Sequence, residues 1–361
     1  MGPSHPWRPK IVLVTPYYRP VVGGLTTFVA GLEHELVRHG AEVTVLTRDG
    51  AEVAGVHKGP TNPSAFVRWC RRMIRKIQPD IVHAHGHWYC LAGALSTFGR
   101  PLATRVVFTV HTLPDVPLTF RIPFRWLLRG AHVVTFVSEP SRKEFVERFG
   151  LQNESAVVQP GVRQSVVELG KGPRTGPDGF RICAVSVMSW EGKVQGMRLL
   201  LEATARLARV VPEVSLTLVG DGELRPDLES LARRLALGER VRFTGLVDDP
   251  APILASSDVF CHISFQDSFA QVALEAMSLS LPVVVNEGTL EDPMFNEPEC
   301  GIVHCPSDAE GLCRALQKLA SDPETRARLG ARAKKLVARE FSWRNQAERF
   351  WELYGLASEL V

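Results

Sequence analysis

Seven residues separate Asp267 from Glu275, within a stretch, SFQDSFAQVALEAMSLSLPVVV (264–285), whose residue types suit a phosphorylated sugar. Phe269, Ala270, Gln271 and Val272 are placed to form the first turn of a helix that continues through Met277. A helix N-terminus carries unpaired N–H groups and the positive end of the helix dipole, so it favours an anionic ligand. Glu275 follows Gln271 by four residues and shares its helix face. A carboxylate there can accept hydrogen bonds from vicinal hydroxyls. A ligand with phosphates at one end and sugar hydroxyls nearby would use both features. A purely structural helix with a hydrogen-bonded Glu275 has the same spacing, so the surrounding elements must decide.

Those elements alternate regularly. A strand at 10–15 runs through a loop with Gly23-Gly24 into a helix ending at His39-Gly40, and a strand follows at 41–47. This strand–loop–helix–strand unit opens a parallel α/β sheet. Residues 51–64 read as a loop and 64–78 as a basic amphipathic helix with Arg68, Arg71, Arg72, Arg75 and Lys76. A strand at 80–84 ends among His83, His85 and His87, and one at 105–110 ends at His111. The alternating histidines fall on one strand face with no carboxylate or cysteine beside them in the sequence, so they read as the polar carboxyl edge of a sheet rather than a metal centre. Residues 118–129 interleave Phe120, Phe124, Trp126 and Leu127 with Arg121, Arg125 and Arg129. That pattern suits a lipid interface, an interdomain cleft or a helix packed on the sheet.

The stretch LGKGPRTGPDGF (169–180) has no apolar periodicity and reads as a linker. The pattern then restarts with a strand at 181–187, a helix at 197–210 and a strand at 215–219 that leads into Gly220-Asp221-Gly222. The expected organisation is a domain at 1–168, the linker, a second domain at 181–341 and a terminal helix at 342–361 that packs back on the first. Two α/β halves joined by a linker imply a ligand cleft at the strands' carboxyl ends.

The net charge of +3 divides unevenly: residues 1–165 hold 20 Lys/Arg against 11 Asp/Glu, and the remainder 22 against 28. The basic half suits an anionic lipid, nucleic acid or phosphorylated substrate. No nucleic-acid-binding module accompanies the charge, so nucleic acid is not an expected partner. No apolar run is long enough to span a membrane, and MGPSHPWRPK has no apolar signal region. Seven cysteines without a CxxC read as reduced, mostly buried thiols. The expectation is a cytoplasmic protein, peripheral on the membrane if its acceptor is a lipid.

Several segments together carry a resemblance: LVGDGELRPDLESLARRLALGERVRFTGLVDD, PILASSDVF, DSFAQVALEAMSLSLPVVV and DPETRARLGARAKKLVAREFSW, in that order. The first half adds PYYRPVVGGLTTFVAGLEHEL, PDIVHAH, VFTVH and VVQPGV. This set resembles the retaining glycosyltransferases of family 4, which have the GT-B fold of two Rossmann-like domains facing a cleft. The resemblance implies a nucleoside diphosphate sugar held mainly by the second domain and an acceptor, a glycan, lipid or lipid-linked glycan, mainly by the first. It places Glu275 on the nucleotide ribose and Asp267 on the transferred sugar, where the family has glutamate. It further places Gly23, Gly24, Gly220 and the segment Ser268, Phe269, Ala270, Gln271 and Val272 at the donor, and His111 near the acceptor and reacting carbon.

The family's diphosphate-binding Arg and Lys align with Trp190 and Gln195 in SVMSWEGKVQGMRLLLEA, and a small shift recruits Lys193. Lys193 is the expected cation, since a leaving diphosphate needs one and no metal motif is present. The expected reaction is retaining transfer of a hexose-type sugar with same-face attack by the acceptor. The alternatives are a non-catalytic sugar-nucleotide-binding protein and a GT-B phosphorylase or epimerase.

Overall fold

The computed structural model describes residues 8–21, 23–95, 104–113, 121–170, 179–265, 269–296 and 300–356. The chain divides into two compact units, Met1–Gly161 with Trp343–Val361, and Val162–Ser342. The first contains β1 (Lys10–Tyr17), α1 (Gly24–Arg38), β2 (Glu42–Asp49), β3 (Val56–Lys58), α2 (Pro63–Ile77), β4 (Ile81–His85), α3 (Trp88–Ala94), β5 (Arg105–Val110), α4 (Arg121–Leu128), β6 (Val133–Phe136), α5 (Glu139–Phe149) and β7 (Glu154–Val157). The second contains α6 (Gln164–Leu169), β8 (Phe180–Val185), α7 (Glu191–Leu207), β9 (Val214–Val219), α8 (Arg225–Arg234), β10 (Val241–Gly245), α9 (Ala251–Ala255), β11 (Val259–His262), α10 (Gln271–Ser278), β12 (Val283–Asn286), β13 (Ile302–Cys305), α11 (Ala309–Ser321) and α12 (Pro323–Glu340). The last helix, α13 (Trp343–Leu353), belongs to the first unit.

Both sheets are parallel, in the orders β3-β2-β1-β4-β5-β6-β7 and β10-β9-β8-β11-β12-β13. Each order reverses once, between β1 and β4 and between β8 and β11. At such a switch point the loops leave in opposite directions and open a crevice at the strands' carboxyl ends. The second sheet is buried on both faces, as a parallel sheet requires. Phe260, Val283 and Val285 join Leu274, Met277 and Phe341 in one core cluster. Cys261 and Val284, one residue out of phase, join Ile182, Leu200 and Leu316 in the other.

The structure differs from the sequence reading in definite places. The expected loop at 51–64 contains β3, a three-residue edge strand too short to show an alternating pattern. Helices α3 and α6, of seven and six residues, are likewise too short for a periodic signal. The first unit ends at Gly161 rather than 168, because the following residues pack in the second. Val162 N–H donates to the Phe341 carbonyl at 2.8 Å, and Val166 is fully buried in that unit's core. Of the expected linker, residues 171–178 lie outside the described residues.

In the first unit α13 lies on α1, with the Trp343 and Phe28 rings 5.2 Å apart. A Cβ on Gly31 would sit 2.1 Å from the Trp343 ring and one on Gly161 2.6 Å from its backbone, so both glycines are required by close approach. Tyr354 then reaches His83, and the Arg105 guanidinium donates to the Leu353 carbonyl at 2.8 Å. All seven cysteines carry free thiols, six of them buried. Among the described residues no helix is long and apolar enough to cross a membrane.

Candidate active site

The second unit's switch point brings together the segments that follow β8 and β11. Phe265 N–H donates to the Gly192 carbonyl at 3.0 Å. Gly196 lies so close to the end of β11 that a Cβ would meet the Ile263 carbonyl oxygen at 1.8 Å. The helix α7 begins at Glu191, six residues before the expected start, so Lys193 stands in its first turn rather than in a loop. The glycines at 192 and 196 hide this start from propensity, but the close approach to Ile263 demands the second of them. The Lys193 ammonium lies over the Trp190 ring, 5.2 Å from its centroid, while Gln195 points to solvent.

The helix α10 begins at Gln271, two residues later than expected, because Ala270 is not helical (φ −90°, ψ 75°). Phe269 and Ala270 therefore form a turn: Gln271 N–H donates to the Phe269 carbonyl and Ala273 N–H to that of Ala270. The Phe269 ring packs towards Phe295 and Phe341, Ala270 is buried and Val272 is half-buried. The side chains of Asn62, Ser138, Asp308 and Asp322 cap α2, α5, α11 and α12. Helices α1, α7 and α10 start at Gly23, Trp190 and Ala270, which provide no side-chain cap, as is also true of α3, α6, α8 and α9. Uncapped N-termini keep their dipole end available to an anion. Among the described residues the Gln271 Nε2 is buried without a hydrogen-bond partner, a donor that a ligand oxygen would satisfy. Asp267 and Ser268 lie outside the described residues.

Glu275 is buried, 5% exposed, with one oxygen 2.9 Å from the Arg163 Nε. The same guanidinium donates to Asp249 at 2.9 Å. Burial pushes the Glu275 carboxyl above its ordinary range, and Arg163 opposes that shift without cancelling it. Arg163 stands just before α6 and was not singled out in the sequence; only its place after PGV marked it. At the helix's other end Ser280 adopts a left-handed conformation (φ 61°), with Leu281 N–H donating to the Ala276 carbonyl and Ser280 N–H to that of Met277. This is the helix-ending motif that favours glycine.

Gly220 has a structural requirement of its own. Its φ is +124°, a Cβ would lie 2.0 Å from the Ser186 carbonyl oxygen, and its N–H donates to the Gly245 carbonyl. That amide is engaged by protein, and the glycine lets the loops after β8 and β9 nest together. The loop after β11 is held by Asn286, a role its place in the sequence did not reveal. Its Oδ1 accepts from Ser264 N–H at 2.8 Å and its amide donates to the Ser264 carbonyl at 3.0 Å. Thr289 donates to the same carbonyl. Asn286 is 1% exposed, so this clasp is a buried polar network.

In the first unit Gly23 and Gly24 sit at the start of α1, after β1. A Cβ on Gly23 would meet nothing within 4 Å, so packing does not demand that glycine. His111 follows β5, with the His85 Nδ1 3.2 Å from its Nε2 and the Phe28 ring edge-on at 4.8 Å. Burial, reinforced by His87, brings its imidazole down to about 3. Among the described residues no group of three or more His, Cys, Asp or Glu side chains is placed to hold a metal ion.

Comparison with known proteins agrees with this architecture. Residues 22–165 match the Glycosyltransferase Family 4 family, and residues 179–322 match Glycosyl transferases group 1. The lipopolysaccharide core biosynthesis glycosyltransferase LpsE of Rhizobium meliloti is 37% identical over 148 residues, 41% of this chain and 42% of that protein. The D-inositol 3-phosphate glycosyltransferase of Rhodococcus jostii is 27% identical over 99% of this chain and 91% of its own length. Anabaena HepE, solved with UDP and again with UDP-glucose, shares the fold. Its UDP complex superposes with a TM-score of 0.79 at 20% identity, covering 96% of this chain and all of that one. With a family match on each half and the two-sheet GT-B architecture beneath them, the chain belongs to the family 4, or group 1, glycosyltransferases.

Proposed function

We propose that the protein is a retaining glycosyltransferase that moves a hexose-type sugar from a nucleoside diphosphate sugar to a glycan or lipid-linked acceptor. The observation that carries this reading is the second unit's switch point. There the first turn of α7, which carries Lys193, is hydrogen-bonded to Phe265 after β11, and further along the same connection α10 starts without a side-chain cap, with Gln271 Nε2 buried and unpartnered among the described residues and a buried carboxylate one helical turn on. Lys193, the α10 N-terminus and Gln271 suit a diphosphate, and Glu275 suits ribose hydroxyls. Asp267 is assigned to the transferred sugar, Gly24 to the diphosphate and His111 to the acceptor side. Lys193 and backbone N–H groups stabilise the leaving diphosphate, in place of a resident metal ion. The acceptor attacks from the face the leaving group departs, and the leaving phosphate takes its proton. HepE's complexes with UDP and UDP-glucose support a uridine nucleotide as the first donor to try.

Thermal melting against a panel of sugar nucleotides tests the reading. A ligand at 100 times its Kd adds about 2.7 kcal/mol to stability. At least one nucleotide sugar should raise the melting temperature, and release of the nucleoside diphosphate should follow when acceptor is added. Lys193→Ala should slow that release about tenfold. A panel without any shift removes the donor assignment. A shift without turnover across acceptors would favour the sugar-nucleotide-binding alternative, which the short Asp267 motivates.

The acceptor side is assigned to an anionic lipid surface. On α4 Ile122 and Trp126 are 68% and 65% exposed, and Arg129 lies over the Trp126 ring at 4.8 Å. Arg121 and Arg125 share this helix, and α2 turns Arg68, Arg71, Arg72, Arg75 and Lys76 to solvent. Each basic residue near an anionic surface contributes about 1 kcal/mol. Co-sedimentation should therefore favour phosphatidylglycerol-containing over phosphatidylcholine vesicles by about tenfold or more, and Ile122→Ser with Trp126→Ser should weaken both. Equal absence of binding to both vesicles would remove the lipid assignment.

A further inference from the structure

Strand β4 turns His83 and His85 to the same face, both fully buried. His83 has both ring nitrogens engaged, Nδ1 with the Tyr354 hydroxyl at 2.7 Å and Nε2 with the Thr109 hydroxyl at 2.6 Å. The Thr109 hydroxyl continues to Thr135 at 2.6 Å. His85 differs. Its Nδ1 meets the His111 Nε2 at 3.2 Å, whereas its Nε2 is buried with no partner among the described residues. The rings of His83 and His85 are 4.0 Å apart between centroids.

Two neutral arrangements satisfy the His85–His111 contact. In one, His85 Nδ1–H donates to the His111 Nε2, and the unpartnered Nε2 of His85 is a bare lone pair. In the other, His111 Nε2–H donates to His85 Nδ1, and His85 must bear its proton on Nε2, as a buried N–H with no acceptor. Orphaned buried N–H groups are rarer in folded proteins than under-used acceptors. A charged ring is disfavoured as well, since burial and the neighbouring His83 and His111 all hold His85 neutral. The bond made by one ring nitrogen sets the protonation of the other.

We propose that His85 is a positioning residue that holds His111 as its Nδ1–H tautomer, so that the ring offers a substrate oxygen a hydrogen-bond donor and not a proton acceptor. The assignment of His111 to substrate rests on the function proposed above; the tautomer does not. Long-range proton–nitrogen correlation on the full-length, ligand-free protein labelled with 15N-histidine tests it, with His111→Gln identifying the signal. The expected spectrum shows a pyrrole-type Nδ1 and a pyridine-type Nε2 for His111. His85→Val should convert this to an exchange-averaged mixture. His85→Asn, whose amide can donate from the position of Nδ1, should retain it. In steady-state transfer, His85→Val should lower kcat about tenfold with donor KM within about twofold, and His85→Asn should restore it. A pyrrole-type Nε2 in the wild-type spectrum overturns the proposal, as does an unchanged tautomer in His85→Val. The wild-type spectrum decides even if the valine variant does not fold. The expected spectrum in a protein that transfers no sugar would overturn only the functional assignment.

Discussion

Replacing Glu275 with glutamine is expected to weaken binding of the nucleotide sugar by about 10- to 100-fold while changing stability by less than about 1 kcal/mol. The two effects separate because of where the carboxylate sits. Hydrogen bonds from ribose hydroxyls to a charged acceptor are worth about 1.5–3 kcal/mol, and the amide keeps the shape but not the charge. The fold itself gains little from the charge. Glu275 is buried, its carboxyl is pushed up by desolvation, and Arg163 keeps Asp249 as a partner after the change. Arg163→Met should do the reverse, since it strands a buried carboxylate. Arg163 is 30% exposed, so the expected loss is about 2 kcal/mol rather than that of a fully buried pair.

The pH dependence follows from the direction of the Glu275 shift. A carboxyl whose folded value lies above its unfolded value binds protons more tightly in the native state. Stability therefore falls as pH rises from the ordinary carboxylate range through the raised value. Removing Arg163 raises that value further. The destabilisation of Arg163→Met should be greatest at neutral pH and should shrink on acidification. Urea unfolding of both variants at two pH values, with donor titration of Glu275→Gln, measures all of this. A glutamine variant with unchanged donor affinity would remove Glu275 from the ribose, and a methionine variant whose deficit grows in acid would contradict the buried-charge account.

Asn286→Ala carries the larger expected cost in stability, about 2–4 kcal/mol, or a fall of about 10 °C in melting temperature for a unit of this size. The side chain is 1% exposed and ties β12 to the residues after β11 through both atoms of its amide. Alanine removes the acceptor for Ser264 N–H and the donor to the Ser264 carbonyl, and it also takes the Thr289 hydroxyl's second acceptor away. Because Ser264 and Phe265 lead towards α10, the same change should lower transfer activity beyond the loss of folded protein. Calorimetry with activity normalised to folded protein checks both. A fall of less than about 2 °C would show that the clasp is not a structural tie.

Much of the architecture was legible because each element carries its own local signal. The three valines before Asn286 are a short apolar run of the kind a buried strand shows, and Val283, Val284 and Val285 alternate between two cores. The motif order also pointed to the GT-B fold, and the two sheets have it. Glu275 on a helix face was readable from its spacing to Gln271. Helix starts were less legible where glycine carried a tertiary requirement. Gly196 lowers local helix propensity, yet only a residue without Cβ lets α7 lie against Ile263. The start of α10 was misplaced for a different reason: Phe269 prefers the aromatic contacts with Phe295 and Phe341 to a place in the first turn.

The sequence by itself determined the alternation of strands and helices, the two-domain α/β class, the family and the helix bearing Glu275. Periodicity and motif order are properties of neighbours along the chain, and they survive without knowledge of the fold. Only the tertiary structure decided the partners. Arg163 reaches Glu275 across 112 positions, and Asn286 holds Ser264 across 22. Tyr354 bonds His83 across 271, and Lys193 takes its place through a glycine that fits one carbonyl. Such pairs depend on sheet order and on where each crossover returns, which no local pattern encodes. The helix that began as a run of residue types with a carboxylate four positions in has that carboxylate buried against Arg163, and the residues after β11 that lead towards it are held by Asn286.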